Sequence, residues 1–302
     1  MKNCKFPLFQ SPFLLVFIFL LSGFALKGKN DTRIILSDSK LPRAAREAIL
    51  VLPGLGDSHR GRNAQVKFFA NRGYDVYIPD FLDRKSYQKS VENLAAFYHS
   101  SGLTEYKKVH AFCYILGSYA INDFLAGLET HNIETIIYDR SPLQERAPYV
   151  VATAIPGIGK LVVGNVVIDF NTVSYSPMPD TTIRVGLIVE SKATRLIRIF
   201  KKTALKPGPV SWAPDSLHQA YDDIHYTRLN HDQMYHRFDV VGEEILYFLN
   251  NGEFSPNSVD MAYSWNPFKP WKKRDEKSVS GNSRFPQNQP EGVFIQKWFE
   301  YQ

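Results

Sequence analysis

Short apolar runs alternate along the chain with longer stretches whose apolar positions recur at helical spacing. That alternation predicts an α/β fold, a mainly parallel sheet with helices on both faces. TRIILSD (32–38) and EAILVLP (47–53) read as strands, the second ending in the turn PGLGDS. A helix over Arg60–Asn71 follows, with Val66, Phe69 and Ala70 on one face and Gly73 just beyond its end. YDVYIPD (74–80) is the next strand, and residues 86–102 form a helix with Val91, Leu94, Ala95 and Tyr98 in phase. KKVHAFC (107–113), ETIIYDR (134–140), TIRVGLIVE (182–190) and DDIHYTRLN (222–230) are further strands. The segment Ser141–Asp180 is richer in Pro and Gly and reads as a small cap or a long loop. DVVGEEILYFL (239–249) closes the domain as a helix with Val241, Ile245, Phe248 and Leu249 inward, stopped by Asn251 and Gly252.

The two ends differ from this pattern. Lys2 and Lys5 precede an uninterrupted apolar run, Phe13–Leu21, and Gly23 and Ala25 follow at the spacing a signal peptidase accepts. Residues 1–29 therefore read as a signal peptide or as an uncleaved membrane anchor, and either way the bulk of the chain is exported (periplasmic or secreted). From Glu253 to Gln302, Ser, Asn, Pro and Gln dominate and no period persists, which predicts a polar, disordered tail. Between them, residues 30–252 form one domain. At 302 residues and 44% hydrophobic content the chain can bury one large core. A net charge of +6 is too mild to point to nucleic acid. Cys4 and Cys113 do not make a disulfide framework, and Cys113 reads as packing inside a strand.

KKVHAFCYILGSYAINDFL (107–125) is a strand, a sharp turn and a helix. Such a turn lifts the side chain at its apex above the sheet and demands small neighbours two residues before and after, because strand and helix nearly touch. Cys113 and Gly117 meet that demand around Ile115. On these residues the chain from about Arg33 to Asn251 resembles the α/β-hydrolase fold, in the lipase, esterase and acyl-thioesterase style, with a small or absent cap. The resemblance aligns the family's G-x-S-x-G with Cys113–Gly117, which puts Ile115 where the nucleophilic serine stands. Its oxyanion loop falls on Pro53-Gly54-Leu55-Gly56, and its catalytic histidine on His231 in RLNHDQMY. The acid is either Asp139, after the sixth strand of the family pattern, or belongs to the turn after the seventh, where Ala193 aligns and Glu190 lies three positions earlier.

Isoleucine has no hydroxyl for a base to activate, and a β-branched residue is a poor tenant of a positive-φ apex. Either the turn is relaxed or a hydrophobic contact offsets the strain. The amides of Gly54, Leu55 and Leu116 need no particular side chains and would still hold a carbonyl or carboxylate. Ser118, on the helix beyond the apex, reads as helix surface. His225, His231 and His236 lie six and five residues apart, not the three or four that would bring two onto one helical face, so no metal site is expected. Neither PGLGDS nor PGIGK completes a phosphate loop, and no cofactor is implied. SKATRLIRIFKK (191–202) reads as a helix with Lys192, Arg195, Arg198 and Lys202 along one face, suited to anionic headgroups. The sequence thus points to a degenerate hydrolase site that binds an acyl or ester small molecule, or a partner, without acyl transfer. The alternative is an ester or thioester hydrolase using His231 with Asp139 and an activated water, or Cys113.

Overall fold

The computed structural model describes residues 32–178 and 180–269. Seven strands form one sheet in the order β1-β3-β2-β4-β5-β6-β7. They are β1 (Arg33–Ile35), β2 (Glu47–Leu52), β3 (Asp75–Ile78), β4 (Lys108–Cys113), β5 (Ile133–Arg140), β6 (Arg184–Lys192) and β7 (Asp223–Asn230). Only the β1–β3 pairing is antiparallel. Central strands of such a sheet are covered on both faces, which is why β2 reads as the unbroken apolar run AILVL.

Alternation along the strands sorts side chains onto two faces. Leu50, Leu52, Cys113, Tyr138 and Val189 pack beneath Leu94 and Tyr98 of α2 (Tyr87–Ser100) and Ile121 and Phe124 of α3 (Ile115–Ala126). Ile49, Val51, Phe112, Ile137 and Ile188 pack beneath Phe69 of α1 (His59–Ala70) and the late helix that carries Val241, Ile245 and Phe248. All four residues expected inward on that late helix are buried. Between β5 and β6 the chain forms three short helices, α4 (Ala147–Ala154), α5 (Pro156–Val162) and α6 (Val166–Phe170). They make a small cap. Pro148 and Pro156 sit in the first turns of α4 and α5, where a missing N–H costs nothing.

Two expectations need correction. The basic segment is not one helix: Lys192 ends β6, and α7 (Arg195–Ile199) and α8 (Lys201–Ala204) are separate turns broken at Phe200. The four cations therefore do not share a helix face. The reason is that β6 continues through Ser191 and Lys192, pairing Lys192 with Asn230. Nor does order end at Gly252. Phe254 is buried against Phe248, the Trp265 indole donates to the Ser191 carbonyl at 3.2 Å, and the Ala193 amide donates to Pro267 at 3.1 Å. Isolated aromatics without a period anchor residues 253–269 along the β6–β7 edge. Residues 1–29 and the tail beyond Lys269, including Trp271, lie outside the described residues. Among the described residues no helix is long and apolar enough to cross a membrane.

Last in the chain come α9 (His231–Met234) and α10 (Phe238–Asn251), the late helix introduced above. Asn230 caps α9 with a reciprocal pair: its side chain accepts from the Gln233 amide, and the Gln233 side chain accepts from the Asn230 amide. That box fixes His231 directly at the carboxyl end of β7.

Candidate functional site

The turn after β4 has one feature of a nucleophile elbow and lacks another. Close approach is kept: a Cβ on Gly117 would lie 2.3 Å from the Leu52 carbonyl oxygen, so only glycine fits between α3 and β2. The strained apex is not present. Tyr114 is extended (φ −74°, ψ 165°) and Ile115 is the first residue of α3. Among the described residues only His218 combines a side chain with positive φ. The turn has relaxed, and Ile115 is buried with its side chain in the wall of a cleft.

That cleft lies between the carboxyl edge of the sheet and the cap, with about 60 Å³ of water-accessible space. Gly54, Leu55, Leu116 and His231 line it from the sheet side, and Val151, Ile155, Val163 and Phe170 from the cap. Ile115 and His231 thus open onto the same space, at the edge where ligands of parallel sheets gather. The donors differ in availability. Gly54 gives its N–H to the buried Tyr235 hydroxyl at 3.0 Å. The Leu55 and Leu116 amides have no protein acceptor. Tyr235 stacks on Tyr114 with ring centroids 4.0 Å apart, and both Gly54 and Gly56 would bring a Cβ within 3.0 Å of it. The loop therefore wraps a tyrosine ring. Its far end is pinned by the buried Asp57–Arg62 ion pair, whose guanidinium also reaches the Ile78 and Pro79 carbonyls.

His231 meets both acid candidates. Its Nδ1 lies 2.8 Å from Glu190 Oε1 and 3.4 Å from Asp139 Oδ2. The sheet makes this inevitable. Asp139 pairs in register with Ile188, and Glu190 is two residues further along β6, so both carboxyls stand on one face. All three side chains are buried. Burial alone would drag the imidazole pKa down, but the charges and hydrogen bonds of Glu190 and Asp139 outweigh it and hold His231 well above its ordinary value. Burial, then the neighbouring Asp139 charge, push Glu190 well above the carboxylate range, and burial raises Asp139 as well. All three shifts therefore run toward the protonated forms, while both Asp139 oxygens and Glu190 Oε2 make no hydrogen bond within the protein.

No serine or cysteine among the described residues hydrogen-bonds His231. Ser118 Oγ donates to the Ile115 carbonyl at 2.6 Å and is buried, not helix surface as the sequence suggested. Cys113 packs on the opposite face of the sheet, its thiol pKa raised by burial. Asp139, Glu190 and His231 do bring one possible ligand atom each within 4.8 Å. A cation there would need both carboxyls ionised and Nδ1 stripped of its proton.

His231 and Ile115 lie at one edge of the sheet, with Glu190 nearer the ring than Asp139, and Tyr235 is a further contact that the sequence does not mark. A glutamate at the end of the apolar run VGLIVE was the available signal, since such a residue is rarely buried without a partner. Nothing local marks Tyr235, whose role depends on a contact 181 residues away.

No family model and no curated protein matches this sequence. Among solved structures the chain is similar to α/β-hydrolase domain-containing protein 10 from mouse, at 10% identity over 74% of this chain and 98% of that one, TM-score 0.45. It is also similar to an esterase from Pyrococcus furiosus, at 12% identity over 75% and 90%, TM-score 0.43. A third likeness is to juvenile hormone epoxide hydrolase from the silkworm Bombyx mori, at 10% identity over 73% of each chain, TM-score 0.47. By its strand order, its tight β4–α3 turn and a histidine after the last strand, the chain has the α/β-hydrolase fold.

Proposed function

We propose that this is an exported or membrane-anchored protein of α/β-hydrolase fold whose cleft binds an acyl or ester small molecule without acyl transfer. The observation that carries the reading is Ile115: an apolar side chain in a relaxed turn fills the place from which a nucleophile would face His231. The histidine supports it independently. A general base must start unprotonated near the working pH. Glu190 and Asp139 raise the pKa of the His231 ring, which shifts it toward the protonated form and away from the starting state of a base. Cys113, on the wrong face with a raised thiol pKa, offers no substitute.

The test is a panel of short- and medium-chain esters and thioesters against the full chain, beside His231→Ala. The reading expects rates at the buffer background for both proteins. Turnover that His231→Ala abolishes would move the protein to the ester or thioester hydrolases.

We further propose contact with an anionic membrane surface through Lys192, Arg195, Arg198 and Lys202. Supporting it, residues 192–209 contain six basic residues and no acidic one, and Leu196 of this segment lines the cleft. Cosedimentation with phosphatidylserine vesicles should weaken with salt and with Arg195→Glu/Lys202→Glu. Equal binding to neutral vesicles would count against it.

A further inference from the structure

We infer that the cleft takes a monocarboxylate with a single apolar tail, its oxygens held by the Leu55 and Leu116 amides and by Nε2 of His231. This rests on the reading that the cleft binds without acyl transfer, and it names the ligand class.

The donors belong to three elements that line one cleft. Helix α3 starts at Ile115 with no side-chain cap, so its first-turn amides are unsatisfied, and the Leu116 nitrogen lies 3.7 Å from where a side chain on Gly54 would begin. Leu55 belongs to the loop facing it and has a free amide. The third donor is a side chain only 5% exposed. With Nδ1 against Glu190 and Asp139, His231 presents Nε2 to the cleft, where no protein group accepts from it. A helix N-terminus and an imidazolium together favour negative charge.

A carboxylate satisfies three N–H donors with two charged oxygens. An ester offers one good acceptor, its carbonyl oxygen, and an alcohol offers no charge. Beyond the donors the walls are apolar: Ile115, Val151, Ile155, Val163, Phe170 and Leu196. The remaining polar groups, Gln144 and Asp232, line the cleft too, and Asp232 is exposed at its rim. In a hydrolase the corresponding donors act on a carbonyl as a serine attacks it. Here Ile115 removes the attack, Glu190 and Asp139 hold Nδ1 so that Nε2 faces the cleft, and what is left is a receptor for the acid itself.

The experiment is calorimetric titration of the full chain at pH 7 with octanoate, methyl octanoate and 1-octanol, with mass analysis of the ester afterwards. Octanoate should bind about tenfold or more tighter than either neutral analogue, and His231→Gln should weaken octanoate alone by about the same factor. In ¹⁵N spectra of the wild type, the Leu55 and Leu116 amides should shift with octanoate and stay in place with octanol. That readout stands even if His231→Gln does not fold. Equal or tighter binding of the ester, no binding of any probe, or unmoved Leu55 and Leu116 amides would overturn the carboxylate assignment. Conversion of methyl octanoate to octanoate by the wild type, lost in His231→Gln, would instead overturn the non-catalytic reading beneath it.

Discussion

Glu190 Oε1 stands 2.8 Å from His231 Nδ1, closer than the 3.4 Å of Asp139 Oδ2 to the same nitrogen. Two buried carboxyls therefore divide one imidazole, and their titration is tied to stability. Both Glu190 and His231 have raised folded pKa values. A raised group contributes fully below its unfolded pKa, about 4.3 for Glu and about 6.5 for His, and loses that contribution as pH climbs through the folded value. Glu190→Gln keeps the shape and the neutral state but has no proton to lose. Melting temperatures between pH 4.5 and 9 should show the wild type losing ground to Glu190→Gln as pH rises. A gap moving the other way would mean that Glu190 is comfortably ionised in the fold.

Gly117 tests how tightly α3 packs on β2 at this turn. Alanine there would press a methyl against the Leu52 carbonyl at 2.3 Å, and backbone must yield. Gly117→Ala should cost about 1–3 kcal/mol or more in denaturant unfolding. Gly127, at the end of the same helix, has the Phe124 carbonyl at an ordinary 3.5 Å and serves as the tolerant control.

Tyr235 occupies the Gly54 amide at the edge of the cleft. Removing its hydroxyl leaves the Gly54 amide without its acceptor in a buried setting. Tyr235→Phe should destabilise by about 1–3 kcal/mol, read from the shift in urea midpoint at unchanged slope. A neutral result would show that the cleft supplies Gly54 with another acceptor.

How much of this was legible follows from where each signal resides. Strand and helix order was legible because periodicity is local: EAILVLP and DVVGEEILYFL have only one comfortable conformation each. Ile115 and His231 were legible because the turn chemistry and the strand–His–helix order sit within a few residues of each other. The contest between Asp139 and Glu190 was not, since it is decided by the β5–β6 register, a non-local pairing. The basic segment misled because apolar and basic residues alternate at near-helical spacing through a strand end, whereas pairing of Lys192 with Asn230 claims the first part for the sheet. Order in residues 253–269 was hidden because single aromatics such as Phe254 and Trp265 dock into existing edges without any repeat of their own.

The central claim, a cleft that holds an acyl ligand and does not cleave it, is tested most directly with the protein in molar excess over an activated ester. Full chain and p-nitrophenyl octanoate are mixed in a stopped flow, and the protein is weighed intact by mass spectrometry. Nitrophenolate should be released at the buffer rate, with no burst and no octanoyl adduct. A burst stoichiometric with protein, or an adduct absent from His231→Ala, would contradict it.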